Sequence, residues 1–279
     1  VTTVAGKRID MHTHTVFSDG TTTPEDNVAL ALARGLAGLA LTDHDTGAGI
    51  MRAVAAAPDD FLLLPGTEFS AELDGLSVHV LAYYPDFLFP PFADELLRLR
   101  NERQLRAVAI VEKFNALAIP ITIEQVEANA AGAPIGRPHI AKAVVDCGAA
   151  VDVRDVFDRY LADDGPCYVP KYALAPVDAV TLIRAAGGAA VLAHPGLYGP
   201  DGMSKEQIAV LVDAGLAGIE ATHLGHSRQQ QSRYRELVRF FGVLPIAGSD
   251  FHGEAKQVSL GDATTPRNIV EQLRAQVLQ

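Results

Sequence analysis

Cysteine is scarce: the 279 residues include only Cys147 and Cys167. They show neither C-x-x-C spacing nor a framework of pairs, which excludes a disulfide scaffold and a thiolate-rich zinc site. Any metal here has to be held by nitrogen and oxygen. Long apolar runs are missing as well. No stretch reaches the roughly 18 to 20 residues that span a bilayer, and the start lacks the basic-then-apolar pattern of a signal peptide. A cytoplasmic protein with no membrane partner is therefore expected. Positive charge is in deficit, with 23 Lys and Arg against 34 Asp and Glu, a net charge of -11. Nucleic acid and anionic membrane would both repel such a surface, so no stable duplex binding is expected, and an anionic substrate needs a local positive site. Internal repeats, low-complexity tracts and flexible linkers are also lacking.

What is present is a large apolar fraction, 48% of residues, enough to bury one large barrel core or two ordinary ones. Strand-like and helix-like runs alternate at the start: Arg8 to His12, Pro24 to Arg34, Ala37 to Thr42, Gly49 to Ala57 and Phe61 to Pro65. This is the βαβ rhythm of a parallel sheet. Thr23 reads as the first helix's N-cap, with Pro24 at its first position, Glu25 and Asp26 in its first turn and Gly35 past its end. Ser77 to Tyr84 is a further strand. From about Ala93 to Leu117 a long helical pattern interrupts the rhythm, and short helical segments continue to about residue 170. The alternation resumes at Pro176 and runs to a C-terminal helix near Pro266 to Leu278. The expected organisation is an α/β barrel of residues 1–92 and 171–279, with a helical insert, residues 93–170, capping its active site.

Chemistry-bearing residues gather at the expected strand ends. Asp10, His12 and His14 stand in D-M-H-T-H, where period-two spacing turns alternate side chains to one side. Asp19 follows in S-D-G-T, then Asp43, His44 and Asp45 in T-D-H-D, Glu68 in P-G-T-E, and His79 in the fourth strand. His194 ends the strand A-A-V-L-A, and Asp250 and His252 end V-L-P-I-A-G-S-D-F-H. A lone histidine such as His79 is more often a satisfied core residue than a ligand, but the joint pattern changes the weighing. In an α/β barrel the carboxyl ends of the strands form one rim, so residues from 12 to 252 meet in space. The six histidines with Asp19, Glu68 and Asp250 make nine N/O groups, more than the three to five that one zinc uses, so two or three ions with bridging carboxylates, foremost Glu68 and Asp250, are the expected accommodation. Such ions share a hydroxide and stabilise an in-line displacement at phosphorus.

The motifs D-M-H-T-H, S-D-G, T-D-H-D, G-T-E, A-H-P-G and G-S-D-F-H resemble, in order and spacing and over nearly the whole chain, those of the PHP (polymerase and histidinol phosphatase) family of metal-dependent phosphoesterases. The resemblance implies a distorted (β/α)7 barrel with a two- or three-metal centre. Its ligand motifs match His12, His14, Asp19, His44, Glu68, His79, His194, Asp250 and His252. Manganese is the implied metal, with iron and zinc as alternatives, since mixed imidazole and carboxylate sets accept all three. R-N-E-R-Q-L-R, G-R-P-H and G-H-S further resemble the subgroup of 3',5'-nucleotide bisphosphate phosphatases and a 5'-to-3' exoribonuclease.

On that reading the substrate is a small phosphorylated molecule, a nucleotide with an AMP-like product. Arg100, Arg103 and Arg106 repeat every third residue, which confines them to one helix face, and Arg137 suits a second phosphate through paired guanidinium hydrogen bonds. Without the resemblance, a solvated basic face balanced by Glu95 and Glu102 is the better account of the stripe. Asp19, His44, Lys171 and His226 complete the expected substrate contacts. His226 is the candidate proton donor to the leaving oxygen, His223 and His226 are equally readable as loop residues, and His139 reads as structural. Asp43 and Asp45 are expected to orient the ligands. The alternatives are a histidinol-phosphate or sugar-phosphate phosphatase, trimming of oligonucleotides from a 5' end, C-N bond hydrolysis, and a non-catalytic module stabilised by metal.

Overall fold

The computed structural model describes residues 8–132, 135–162, 165–170 and 172–277. The chain divides into two compact units, Val1–Leu96 with Ala173–Gln279, and Leu97–Tyr172. In chain order the first unit begins with β1 (Arg8–Asp10), α1 (Pro24–Ala33), β2 (Gly38–Leu41), α2 (Ile50–Ala56), β3 (Leu62–Leu73) and β4 (Leu76–Tyr83). Helix α3 (Pro90–Ala116) starts there and continues in the second unit, which adds α4 (Ile123–Ala130), α5 (Arg137–Asp146), α6 (Val153–Val156) and a π-helical turn at Phe157–Leu161. The first unit resumes with α7 (Pro176–Ala185), β5 (Ala189–Leu192), α8 (Lys205–Asp213), β6 (Gly218–Thr222), α9 (Arg228–Phe241), β7 (Leu244–Ala247), β8 (Thr265–Pro266) and α10 (Arg267–Val277).

The strands form one sheet in the order β7-β6-β5-β4-β3-β2-β1-β8. This is the expected distorted barrel: seven main strands with helices around them, plus a two-residue β8. The distortion has a local cause. Between β3 and β4 there is no helix but a two-residue turn, Asp74 and Gly75, both at positive φ (52° and 81°). A turn of that kind matches the twist of a hairpin, so β4 runs antiparallel to both β3 and β5, whereas β1-β2-β3 and β5-β6-β7 are parallel. The parallel rhythm read from the sequence fails at this hairpin.

The two edges meet twice. The backbone N–H of Ala247 donates to Thr265 Oγ1 (2.8 Å), and Thr265 Oγ1 donates back to the Ala247 carbonyl (2.9 Å), stitching β7 to β8 through a side chain. Beyond the ends of β1 and β7, Thr13 and Phe251 pair in parallel, with the His14 N–H donating to the Phe251 carbonyl at 2.8 Å. Gly248 makes that approach possible: a Cβ there would lie 2.4 Å from His12 Cβ.

Strands buried on both faces read as continuous apolar runs. In β2, Leu39 and Leu41 pack outward with Val28, Ala31, Ile50 and Phe61, while Ala40 faces a second cluster with Ile9, Leu64, Leu81, Val191 and Ile246. Thr23 caps α1 as expected, its Oγ1 accepting the Asp26 N–H and the Asp26 carboxylate accepting the Thr23 N–H, an arrangement worth about 1 kcal/mol. The helical unit has its own core, with Ile110, Phe114, Val126, Ile140, Val144, Val156 and Cys167 buried together. Among the described residues no helix is long and apolar enough to cross a membrane.

Candidate metal centre

All nine expected ligands converge. Asp19 lies in the loop after β1, and two others sit inside strands. Glu68 is in the middle of β3 and His79 in the middle of β4, because the hairpin carries both strands past the rim and β4 enters it from its amino half. Ser70 and His79 are cross-strand partners, and Glu68 shares their face, two residues away. The diagonal brings His79 Nδ1 to 2.8 Å from Glu68 Oε1.

Glu68 is the hub. Its Oε2 lies 3.2 Å from His12 Nε2, 3.1 Å from His14 Nε2 and 3.3 Å from His44 Nδ1, while its Oε1 faces His79 and, at 3.0 Å, His194 Nε2. One carboxylate thus divides five imidazoles into two sets. Asp250 divides its surroundings as well: Oδ1 is 3.4 to 3.5 Å from His12, His14 and His252, and Oδ2 is 2.6 Å from Lys256 Nζ and 3.5 Å from His223 Nε2. Asp19, the one exposed member, is 3.2 Å from His252 Nε2, 3.5 Å from His14 Nδ1 and 3.6 Å from His44 Nε2. Three overlapping groups have ligand atoms within 4.8 Å of one another: His14, Asp19, His44 and His252; His12, His14, Glu68 and Asp250; and His44, Glu68 and His79.

The charges in this cluster compensate. Burial alone would raise the Glu68 carboxyl, but His79, His12 and His44 hold it well below the usual carboxylate range. Burial likewise opposes a charge on His12, yet Glu68, Glu220 and Asp250 raise its pKa well above the usual value. His14 is driven to about 9 by Asp250 and Glu68 against the same cost of burial. At His44 burial wins, and its pKa falls to about 3. Imidazoles and carboxylates packed this closely, with His44 Nδ1 and His194 Nδ1 buried and lacking hydrogen-bond partners, form a donor set that suits divalent cations.

A second ring of groups sets orientation. Asp43 accepts from the Thr15 N–H, Thr15 Oγ1 and Ser18 Oγ, each at 2.7 Å, and so staples the loop carrying His14 and Asp19. Asp45 accepts from the N–H and Oγ of Ser70 at 2.8 Å, bracing β3 beyond Glu68. Asp10 accepts from Ser249 and Gly261 and locks β1 to the segment before Asp250. Asp45, His194 and Asp250 all have positive φ, the backbone strain that accumulates where a site over-determines its geometry.

The sequence reading missed Glu220 and Lys256 and left His223 as readable as a loop residue. Glu220, fully buried in β6 where a bulge interrupts the pairing with β7, faces His12 Nδ1 at 3.3 Å and accepts the His194 N–H at 2.8 Å. His223 and Lys256 both reach Asp250. Only Glu220 left a signal, as a charged residue inside an otherwise apolar strand.

His226 is placed differently from the proton donor expected. It is 5% exposed, its Nε2 accepts the Gly196 N–H at 3.0 Å, and burial followed by His223 lowers its pKa to about 4. With its Nε2 engaged in this way, the ring supports the A-H-P-G turn. Gly196 is required there, since a Cβ would lie 2.6 Å from His226 Cδ2. The arginines belong to the helical unit. Arg100 is exposed and Arg103 half-buried. Arg106 Nε donates to the Val169 carbonyl at 2.7 Å, and Arg137 Nη1 to the Leu161 carbonyl at 3.1 Å. His139 Nδ1 accepts the Gly136 N–H at 3.0 Å, a structural role. Lys171 lies outside the described residues.

Residues 10–85 match the model of the PHP domain. The 5'-3' exoribonuclease Rnm of Escherichia coli is 32% identical over 90% of this chain and 87% of its own length. The 3',5'-nucleoside bisphosphate phosphatase of Chromobacterium violaceum is 35% identical over 88% and 87%. Among solved structures, a candidate metal-dependent phosphoesterase from Bifidobacterium adolescentis superposes with a TM-score of 0.87 at 32% identity, covering 98% of this chain and 97% of that one. A Chromobacterium violaceum protein described as an amidohydrolase, with bound sulfate and no metal, gives 0.83 at 33%, covering 96% of both.

Proposed function

The chain belongs to the PHP family of metal-dependent phosphoesterases, and on that premise we propose that it removes a phosphate from a nucleotide bearing two, converting a 3',5'-nucleotide bisphosphate to a 5'-nucleotide. Two or three divalent ions, manganese foremost, are held by His12, His14, Asp19, His44, Glu68, His79, His194, Asp250 and His252. The observation that carries this reading is Glu68, whose two oxygens face separate histidine sets. When bound, the ions supply a nucleophile from water at neutral pH and neutralise charge on the phosphoryl oxygens.

The protein's own part is to hold the reacting groups. Glu220, facing His12 Nδ1, favours a proton there, so that His12 Nε2 would be the nitrogen to hold a cation shared with Glu68 and Asp250. The Asp250 carbonyl accepts from His252 Nδ1 at 2.8 Å and does the same for His252. Arg103, Arg106 and Arg137 are assigned to the substrate's other phosphate, with exposed Arg100 adding positive charge. Sulfate has the tetrahedral shape of phosphate, and its presence in the Chromobacterium violaceum neighbour supports an oxyanion substrate.

The test is a product assay over a substrate panel with added manganese, iron or zinc. Release of inorganic phosphate fastest from adenosine 3',5'-bisphosphate is expected. Preference for histidinol phosphate or a sugar phosphate would reject the substrate assignment, and release of ammonia or a carboxylate in place of phosphate would reject the chemistry. The exoribonuclease relative supports a second activity, shortening of oligonucleotides from the 5' end, which the same panel reads.

A further inference from the structure

Ring nitrogens at the centre are not interchangeable, because whatever occupies one nitrogen of a neutral imidazole decides what the other can do. His12 and His252 have Nδ1 against oxygen acceptors, Glu220 and the Asp250 carbonyl. Each therefore carries a proton on Nδ1, which leaves Nε2 as the nitrogen turned to the centre. His223 is the reverse. Its Nδ1 accepts the Gly225 N–H at 3.0 Å, which leaves the proton on Nε2. That Nε2–H is buried in a side chain 6% exposed, and its carboxylate neighbour, Asp250 Oδ2, is 3.5 Å away, close enough to help hold that carboxylate ionised but too far for a full hydrogen bond. Leaving such a donor unmet costs about 1 to 3 kcal/mol, so a ligand acceptor is the expected complement.

Lys256 meets the same carboxylate oxygen. Its ammonium is 2.6 Å from Asp250 Oδ2, at the end of a side chain 44% exposed. Asp250 is thereby two-faced, with Oδ1 toward His12 and His14 and Oδ2 toward an imidazole N–H and an ammonium. We propose that His223 and Lys256 form an oxyanion pocket that binds a nonbridging oxygen of the phosphoryl group under attack. His223 gives a fixed hydrogen bond, and Lys256 gives a charge on a stem free to follow the oxygen. Such donors stabilise charge that grows in the transition state. The assignment rests on the phosphoesterase reading of the centre and makes His223 a donor to substrate, not a tenth ligand.

Titration of the metal-loaded protein with inorganic phosphate, alongside metal content and kcat, tests the pair. His223→Ala and Lys256→Met are each expected to weaken phosphate binding about tenfold or more and to lower kcat, with the metal-to-protein ratio unchanged. His223→Gln, whose amide N–H reaches the same place, should recover most of the binding and also covers the case in which His223→Ala folds poorly. Loss of an ion in His223→Gln would make His223 a ligand and overturn the proposal. So would phosphate affinity unchanged in both His223→Ala and Lys256→Met, or a wild-type protein that binds no phosphate. A wild type that binds phosphate through His223 and Lys256 yet hydrolyses no ester would reject the hydrolase reading and leave the pocket standing.

Discussion

The histidine cluster and the arginine stripe are built by opposite means. The cluster draws on the ends of β1, β2, β5 and β7 and the middles of β3 and β4, and most of its members are buried. Many of its side chains are tied by a hydrogen bond behind them. The stripe comes from one helix, α3, at a spacing of three, and runs from exposed Arg100 to half-buried Arg103 and Arg106. The difference teaches where cooperativity lies. A residue in the cluster serves several neighbours at once, so removing it should disable the whole, whereas each arginine should act nearly by itself.

Glu68→Gln breaks the comparison hardest. It removes the charge facing five imidazoles, and kcat/KM is expected to fall about 10³-fold or more with loss of bound metal, read by steady-state assay and elemental analysis. Retention of full metal content and activity would disprove the hub. Glu220→Gln is milder, because the side chain still reaches His12 without its charge. Metal affinity should drop by about 10- to 100-fold in a chelator competition assay, while the variant saturated with metal recovers most of its rate.

Arg103→Ala with Arg106→Ala sharpens the other side. Activity on adenosine 3',5'-bisphosphate should fall about tenfold or more, and a small chromogenic phosphate ester should be nearly unaffected. Equal losses would argue that the stripe supports folding, as the bond from Arg106 to the Val169 carbonyl would allow.

The smallest effect is a pH dependence. In the metal-free protein a raised histidine pKa stabilises the fold below the unfolded value of 6.5, and that contribution is lost as pH rises through the folded value, about 9 for His14. Thermal melts of chelated protein should therefore decline by several degrees between those limits. Saturating metal should remove the decline, since ligation displaces the same protons. A flat profile in the chelated protein would contradict the charge balance described here.

Much of this was legible beforehand, for identifiable reasons. H-x-H at period two and the Thr23-Pro24 helix start are local, set by backbone geometry within a few residues. Apolar runs of four or five residues between helices marked strands buried on both faces. His79 was expected in the fourth strand and lies there, whereas Glu68 was expected at the end of the third strand and lies inside it. Asp74-Gly75 is a hairpin signal, yet neither flanking run alternates cleanly, because the hairpin is buried for much of its length. The bond from the Gly196 N–H to His226 Nε2 spans thirty positions in sequence, so no local pattern announced it.

The sequence by itself determined that nitrogen and oxygen ligands, too many for one ion, would come from the rim of an α/β barrel, because strand periodicity and motif order are properties of short segments. Only the tertiary structure decided which nitrogen of each histidine faces the centre, that Glu68 and Asp250 each divide their neighbours into two sets, and that Glu220, His223 and Lys256 belong with them. Those outcomes depend on hydrogen bonds between residues up to about two hundred positions apart and on positive-φ turns at His194 and Asp250, which no local pattern encodes.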